Sequence, residues 1–178
     1  MLPVAEALVA GGILAIEITL TVPQALALIP AAERPQVTHQ SGTRHLAAVE
    51  ANYQRAGVDG TAVAFIADMA AQYAASDLVI CRAGASTIAE LAAAGVASVL
   101  VPLMASTTSH QRDNAQWMAQ IGAAIHQPQK ELNIDALASL IKTLTRERCL
   151  YMADVAYRHG KRDANEAIAQ VLETLGNS

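Results

Sequence analysis

Short apolar runs alternate along the chain with segments whose apolar residues recur at helical spacing. The runs are rich in aliphatic residues, as in parallel strands that are buried on both faces of a sheet. We predict strands at 13–20, 36–39, 62–65, 78–82, 97–101 and 124–127. We predict helices at 4–9, 23–32, 43–56, 67–75, 87–94 and 110–121, and a helical remainder from residue 133 with a break near Gly160.

Strands separated by helices predict parallel pairing through right-handed crossovers. The expected fold is α/β, a doubly wound, Rossmann-like parallel sheet of about six strands with helices on both faces. A chain of 178 residues fits one such domain, spanning 1–178. Ligands of these sheets bind beyond the carboxyl ends of the strands, so function is expected in the loops that follow them.

Composition narrows the functional classes. The chain is 53% hydrophobic with 3% aromatic residues, which predicts an aliphatic core. Its net charge is −4 and no Lys/Arg cluster stands out, so we expect no nucleic-acid partner. Its five histidines lack metal-ligand spacing, and we expect neither a metal nor a cofactor.

The apolar stretch 2–20 is interrupted by Glu6, Glu17 and the Gly11-Gly12 pair, and it has no basic leader. We therefore expect no signal peptide, no membrane contact for this domain alone, and a cytoplasmic location. The two cysteines make no disulfide framework, and Cys81, inside an apolar run, is expected to be a small buried residue.

Segment 81–90, CRAGASTIAE, passes from a predicted strand through small residues into a helix. Small residues let a ligand approach the backbone, and free N–H groups at a helix start suit a phosphate or a hydroxyl-rich ligand. The alternative is structural, because Thr87 and Glu90 have the spacing of a capping box. Spacing alone favours capping.

Other polar segments also follow predicted strands. In 65–69, FIADM, backbone groups can read a planar base, or Asp68 can simply cap a helix. In 110–115, HQRDNA, Gln111 and Asn114 share one helix face, although a solvated first turn is the alternative that spacing favours. Segment 39–42, HQSG, ends a predicted strand with polar and flexible residues; a lone His there is more often a loop residue than a catalyst, and no triad partner is evident.

Taken together, these segments resemble the MurG family of peptidoglycan glycosyltransferases. The strings are HQSG (39–42), ANYQRAG (51–57), FIADMAAQYAASDLVICRAGASTIAELAAAG (65–95), VPL (101–103) and HQRDNA (110–115). That family transfers N-acetylglucosamine from its UDP-sugar (UDP-GlcNAc) to lipid-linked muramyl pentapeptide. The resemblance covers 23–178 and corresponds to the C-terminal half of a two-domain GT-B enzyme, the half that holds the donor.

The resemblance implies a UDP-GlcNAc site made of Ile66, Ala85, Ser86, Thr87, Glu90, Gln111 and Asn114. The backbone of Ile66 would meet the uracil, and residues 85–87 would lie along the nucleotide and diphosphate. Glu90 would accept hydrogen bonds from the ribose hydroxyls, which reverses the capping interpretation. Gln111 would bind sugar hydroxyls, with Asn114 nearby.

Two departures from the family pattern stand out. The acceptor-binding domain is absent from this chain, and half a transferase is not expected to turn over, because transfer needs donor and acceptor in one cleft. The Gly-Gly-Ser-x-Gly-Ala loop that approaches the donor phosphates is also missing. Gly11-Gly12 precedes a predicted strand, which places it at the amino end of the sheet.

Segment 4–26, VAEALVAGGILAIEITLTVPQAL, resembles the helix–strand–helix start of 2-keto-3-deoxy-6-phosphogluconate (KDPG) aldolase. Glu17 matches a catalytic acid/base there, but the aldolase's Arg near Thr21 and its Schiff-base Lys have no counterpart, so no aldolase activity is expected. We interpret the chain as an engineered chimera in which 1–22 is aldolase-like and 23–178 is MurG-like. The alternative origin is a divergent natural homologue that lost its Gly loop.

The functional expectation is a domain without catalytic activity of its own. Weak residual binding of UDP or UDP-GlcNAc is the first alternative. The second is a donor half that works with a separately encoded acceptor half. Apolar surface around an uncovered cleft is expected to favour self-association.

Overall fold

The fold is taken from a computed structural model, which describes residues 12–16, 21–103 and 109–176. Within these ranges, six strands form one parallel sheet in the order β3-β2-β1-β4-β5-β6. The strands are β1 (Gly12–Ile16), β2 (Gln36–Gln40), β3 (Thr61–Val63), β4 (Ser76–Cys81), β5 (Ala97–Leu100) and β6 (Ala124–His126). The helices are α1 (Val22–Ala27), α2 (Leu46–Ala56), α3 (Met69–Ala74), α4 (Ala85–Ala94), α5 (His110–Gln120), α6 (Ile134–Thr143), α7 (Arg146–His159) and α8 (Ala164–Gly176). The predicted fold class is confirmed.

The strand order places a topological switch point between β1 and β4. From β1 the chain runs to β2 and β3 on one side, and then returns to form β4 on the other side of β1. Ile13 of β1 therefore has Val37 of β2 as its partner on one side and Leu78 of β4 on the other. A crevice opens at such a point beyond the carboxyl ends of the strands. Gly12 begins β1, so it lies at the opposite, amino end of the sheet, as predicted.

The sheet is covered on both faces because alternate residues of its central strands point in opposite directions. Leu78 and Ile80 of β4 belong to a core shared with α1, α2 and α6. Val79 and Cys81 belong to a second core shared with α4 and α5. Cys81 is buried as predicted, and burial, with a smaller contribution from Glu90, raises the pKa of its thiol to about 12.

Two predicted elements end earlier in the structure. The helix predicted at 23–32 stops at Ala27, because Pro30 has no N–H to continue the hydrogen-bond ladder and restricts the residue before it. The strand predicted at 62–65 is Thr61–Val63, at the edge of the sheet. Phe65 lies beyond it and is 76% exposed.

His39 belongs to the strand predicted at 36–39 and is not a loop residue. It lies inside β2 and is 1% exposed. Its ring meets Tyr53 of α2 edge to face, with Nδ1 3.4 Å from the tyrosine Oη. The turn follows at Gly42, whose φ of 72° is a left-handed conformation that glycine adopts without strain.

The predicted helix at 4–9, the continuation of the first strand over 17–20, and Glu17 lie outside the described residues. Across the part of the chain that is described, no helix combines the length and apolar character needed to cross a membrane.

Candidate functional site

The start of α4 forms the centre of the candidate site. Loop 82–84 leaves the carboxyl end of β4, and the helix begins at Ala85 with Gly84 in the N-cap position and no side-chain cap. Thr87 therefore lies within the first turn, and the predicted capping box with Glu90 is wrong. The N–H groups of a first turn have no acceptor in their own helix, and Ala85 and Ser86 are exposed. This arrangement favours an anionic ligand.

Two side chains of α5 hold the neighbouring loops. Asn114 donates from Nδ2 to the carbonyl oxygen of Ala83 over 3.0 Å. Gln111 accepts through Oε1 from the N–H of Leu103 over 2.9 Å, which leaves its amide hydrogens as donors. Both side chains are half-buried and face these loops, while residues 110, 112 and 113 of the same first turn are exposed, so the polar turn is solvated on its other side.

Glu90 lies one turn beyond Thr87 and is held by a tyrosine. Tyr73 of α3 is buried and donates its hydroxyl to Glu90 Oε2 over 3.1 Å. Burial raises the pKa of Tyr73 well above its usual value, and the charge of Glu90 raises it further, so the hydroxyl stays protonated and can donate. Glu90 itself is exposed, which leaves its carboxylate accessible to ligand hydroxyls.

The backbone of Ile66 is contacted from β2. Its N–H donates to Gln40 Oε1 over 2.9 Å, and both residues are half-buried. Gln40 is the last residue of β2, and Ile66 lies between β3 and α3, so the contact joins the end of β2 to the loop after β3 at the carboxyl end of the sheet.

A cavity of about 510 Å³ lies at the other end of the sheet. Its lining includes Arg34, Gln36, Asp59 and Thr61, at or before the starts of β2 and β3. It is therefore separate from the loops described above. Among the described residues, no group of His, Cys, Asp and Glu side chains is arranged to hold a metal ion.

The sequence matches a family model, the glycosyltransferase family 28 C-terminal domain, over residues 7–169. The chain belongs to this family. The family 28 match begins within segment 1–22, the part that resembles the aldolase.

Two relatives of this family 28 domain carry the same name, UDP-N-acetylglucosamine--N-acetylmuramyl-(pentapeptide) pyrophosphoryl-undecaprenol N-acetylglucosamine transferase. The protein from Herminiimonas arsenicoxydans is 59% identical over 169 residues, which are 94% of this chain and 47% of the relative. The protein from Chromobacterium violaceum is 52% identical over 173 residues, 96% of this chain and 48% of the relative. The chain thus spans about half the length of these relatives.

One solved structure agrees with this assignment, and a second shares only the fold. Crystalline MurG from Acinetobacter baumannii superposes with a TM-score of 0.81 at 32% identity, over 92% of this chain and 52% of that chain. UDP-GlcNAc 2-epimerase from Neisseria meningitidis, solved with UDP-GlcNAc, gives a TM-score of 0.62 at 12% identity over 93% of this chain and 44% of that chain. The second likeness shows a shared fold only.

Within the family 28 domain, the residues predicted from the resemblance fall on two helices and one loop that follow the carboxyl ends of the strands. Residues 85–87 and Glu90 lie on α4, and Gln111 and Asn114 lie on α5, which contacts the loop before α4. Ile66 lies on the loop before α3, the helix that also supplies Tyr73.

Tyr73 and Gln40 were not predicted as site residues. Tyr73 sits in a short helix, where a buried aromatic is typical of a core residue. Gln40 belongs to the HQSG string, but no pattern along the chain pairs it with Ile66.

The Tyr73 contact gives a prediction for binding. Tyr73→Phe keeps the ring but removes the donor to Glu90, so we expect UDP to bind about 2- to 10-fold more weakly, the worth of one hydrogen bond. Isothermal titration calorimetry measures the change. Tyr157→Phe, at a half-exposed tyrosine of α7, is the matched control and should leave affinity unchanged.

A ligand without ribose hydroxyls shows whether Tyr73 acts by orienting Glu90 or by supporting the fold. With 2′,3′-dideoxyuridine diphosphate, the difference between Tyr73→Phe and the unaltered chain should disappear. An equal loss for both ligands would mean that Tyr73 supports the fold and not the orientation of Glu90.

Proposed function

We propose that this domain binds the UDP-GlcNAc donor of a MurG-type transferase. The observation that carries the proposal is α4, which presents the N–H groups of its first turn at 85–87, where Ala85 and Ser86 are exposed, and, one turn later, the carboxylate of Glu90. A diphosphate needs donors and positive potential, and a ribose needs an acceptor for two hydroxyls. One rigid helix at the switch point supplies both at fixed spacing.

The remaining predicted residues fit the two ends of such a ligand. Gln111 keeps its amide hydrogens for sugar hydroxyls while its oxygen is occupied by Leu103. Ile66 offers backbone groups to the uracil. Asn114 acts indirectly, because its amide holds the loop at Ala83 from which α4 begins.

We propose further that these 178 residues bind the donor without transferring its sugar. The relatives, which are about twice as long, are named for an acceptor linked to pyrophosphoryl-undecaprenol. Transfer requires that both substrates lie in one closed cleft. The expected location is the cytoplasm, at the inner face of the membrane that carries such a lipid. A transfer assay with radiolabelled UDP-GlcNAc and lipid-linked acceptor should give no product above background; turnover would contradict this part of the proposal.

The two-parent origin of segment 1–22 is a separate hypothesis, supported by the missing Gly-rich loop. It predicts that replacing this segment with its counterpart from the Herminiimonas arsenicoxydans relative restores phosphate contacts and tightens UDP binding. Unchanged UDP affinity would favour the alternative, that the whole chain is a natural member of the family. The family match, which begins at residue 7, favours the same alternative.

Calorimetry with UDP and ADP tests the proposed function. We expect UDP to bind and ADP to bind at least about 10-fold more weakly, because the adenine amino group is a donor and cannot accept from the Ile66 N–H as a uracil carbonyl can. Equal affinities for UDP and ADP would mean that the start of α4 binds the diphosphate and that the site does not recognise the base. The absence of any UDP binding at millimolar concentration would end the proposal.

A further inference from the structure

The N–H group proposed to read the base is already occupied by a side chain of the domain. Ile66 N–H donates to Gln40 Oε1 over 2.9 Å, a distance typical of a well-formed hydrogen bond. An amide has one hydrogen, and a linear bond to one acceptor excludes an equally good bond to a second. A uracil carbonyl therefore reaches this N–H only after the carboxamide of Gln40 has moved.

The surrounding backbone is better anchored than the Gln40 side chain. Gln40 pairs with Val63 in the register of β2 and β3. The next residue, Ser41, donates its N–H to the Val63 carbonyl over 3.0 Å, and its hydroxyl lies 3.4 Å from the same oxygen. The end of β2 is thus fixed to β3, and rotation about the side-chain bonds of Gln40 is the simplest way to free Ile66.

We propose that Gln40 is a displaceable gate on the base-binding edge of the site. Its carbonyl oxygen takes the place of a nucleobase carbonyl on the Ile66 N–H, and it withdraws when a base that presents a carbonyl enters. The gate rests on the proposed function, since it has meaning only if Ile66 meets a base. Gln40 does not touch reacting atoms, so its role is to set affinity and selectivity for the nucleobase.

Removing the competing acceptor should tighten binding. Gln40→Met keeps the length of the side chain but cannot accept from Ile66, and UDP affinity measured by calorimetry is expected to rise about 2- to 10-fold. Gln40→Glu places a stronger, charged acceptor on the same N–H, so UDP should bind more weakly than to the unaltered chain. Gln40→Asn, whose shorter amide does not reach Ile66, gives a second test with the same expectation as Gln40→Met.

Two controls isolate the base. Gln36→Met changes the same residue type at the opposite end of β2 and should leave UDP affinity unchanged. Inorganic pyrophosphate has no base, and its affinity should be the same for Gln40→Met as for the unaltered chain. In amide NMR spectra, Gln40→Met should shift the Ile66 signal before any ligand is added.

The outcomes separate this inference from the proposed function. If the unaltered chain binds UDP and Gln40→Met and Gln40→Asn bind it equally or more weakly, the gate is wrong while donor binding stands. If the unaltered chain does not bind UDP at all, the proposed function fails and the gate fails with it. Tighter binding of pyrophosphate as well as UDP would also overturn the gate, because the effect would then not depend on the base.

Discussion

Replacing Glu90 with glutamine is expected to weaken UDP binding about 10- to 100-fold, the largest effect at the site. Hydrogen bonds from ribose hydroxyls to a carboxylate are charge-assisted and stronger than bonds to a neutral amide. The amide also presents a donor where the ribose itself donates. Glutamine is nearly the same size, so the change removes charge and acceptor capacity and little else.

The loss should appear in binding and not in folding. Glu90 is exposed, and surface substitutions usually change the free energy of unfolding by less than about 0.5 kcal/mol. Calorimetry with UDP gives the affinity, and thermal unfolding gives the stability. Glu50→Gln, at an exposed glutamate of α2, is the matched control. If both variants bind UDP alike, Glu90 does not hold the ribose.

Leu91→Ala is expected to cause the largest loss of stability among the predicted changes, about 2–5 kcal/mol. Leu91 is 0% exposed and packs in the core between α4 and the sheet. Truncation removes buried apolar surface and leaves a cavity that the surrounding elements fill only in part. Since Leu91 follows Glu90, the same helix carries ligand groups on one face and core groups on another.

Urea unfolding monitored by circular dichroism measures this change. Leu150→Ala, at a leucine of α7 that is 57% exposed, should alter the free energy of unfolding by less than about 0.5 kcal/mol. A similar cost for both leucines would contradict the packing of α4 on the sheet.

The pattern of apolar residues predicted the central strands well, because the residues of each apolar run are the residues that the sheet buries. The predicted strands 78–82 and 97–101 correspond to Ser76–Cys81 and Ala97–Leu100, whose apolar runs lie under helices on both faces. Pattern failed at the start of α4, where Gly84 caps the helix without a side chain and offers little signal. The spacing of Thr87 and Glu90 fits a capping box, but the structure does not form one at the start of α4.

Contacts between distant elements were the other source of error. The burial of His39 was not predicted, because it depends on Tyr53, which α2 brings against β2. Tyr73 and Gln40 were missed for the same reason. The resemblance identified Glu90 and Ile66. Their hydrogen-bond partners, Tyr73 and Gln40, lie on other elements, and the spacing of residues along the chain does not predict how those elements pack.

Amide NMR spectra recorded during a UDP titration test the central claim most directly. The claim is that the nucleotide binds across the carboxyl ends of the strands, on α4 and the loop before α3. It predicts shifts concentrated at residues 85–90 and Ile66, with little change around the cavity at Arg34 and Asp59. Spectra that stay unchanged at millimolar UDP, or that shift only around that cavity, would contradict it.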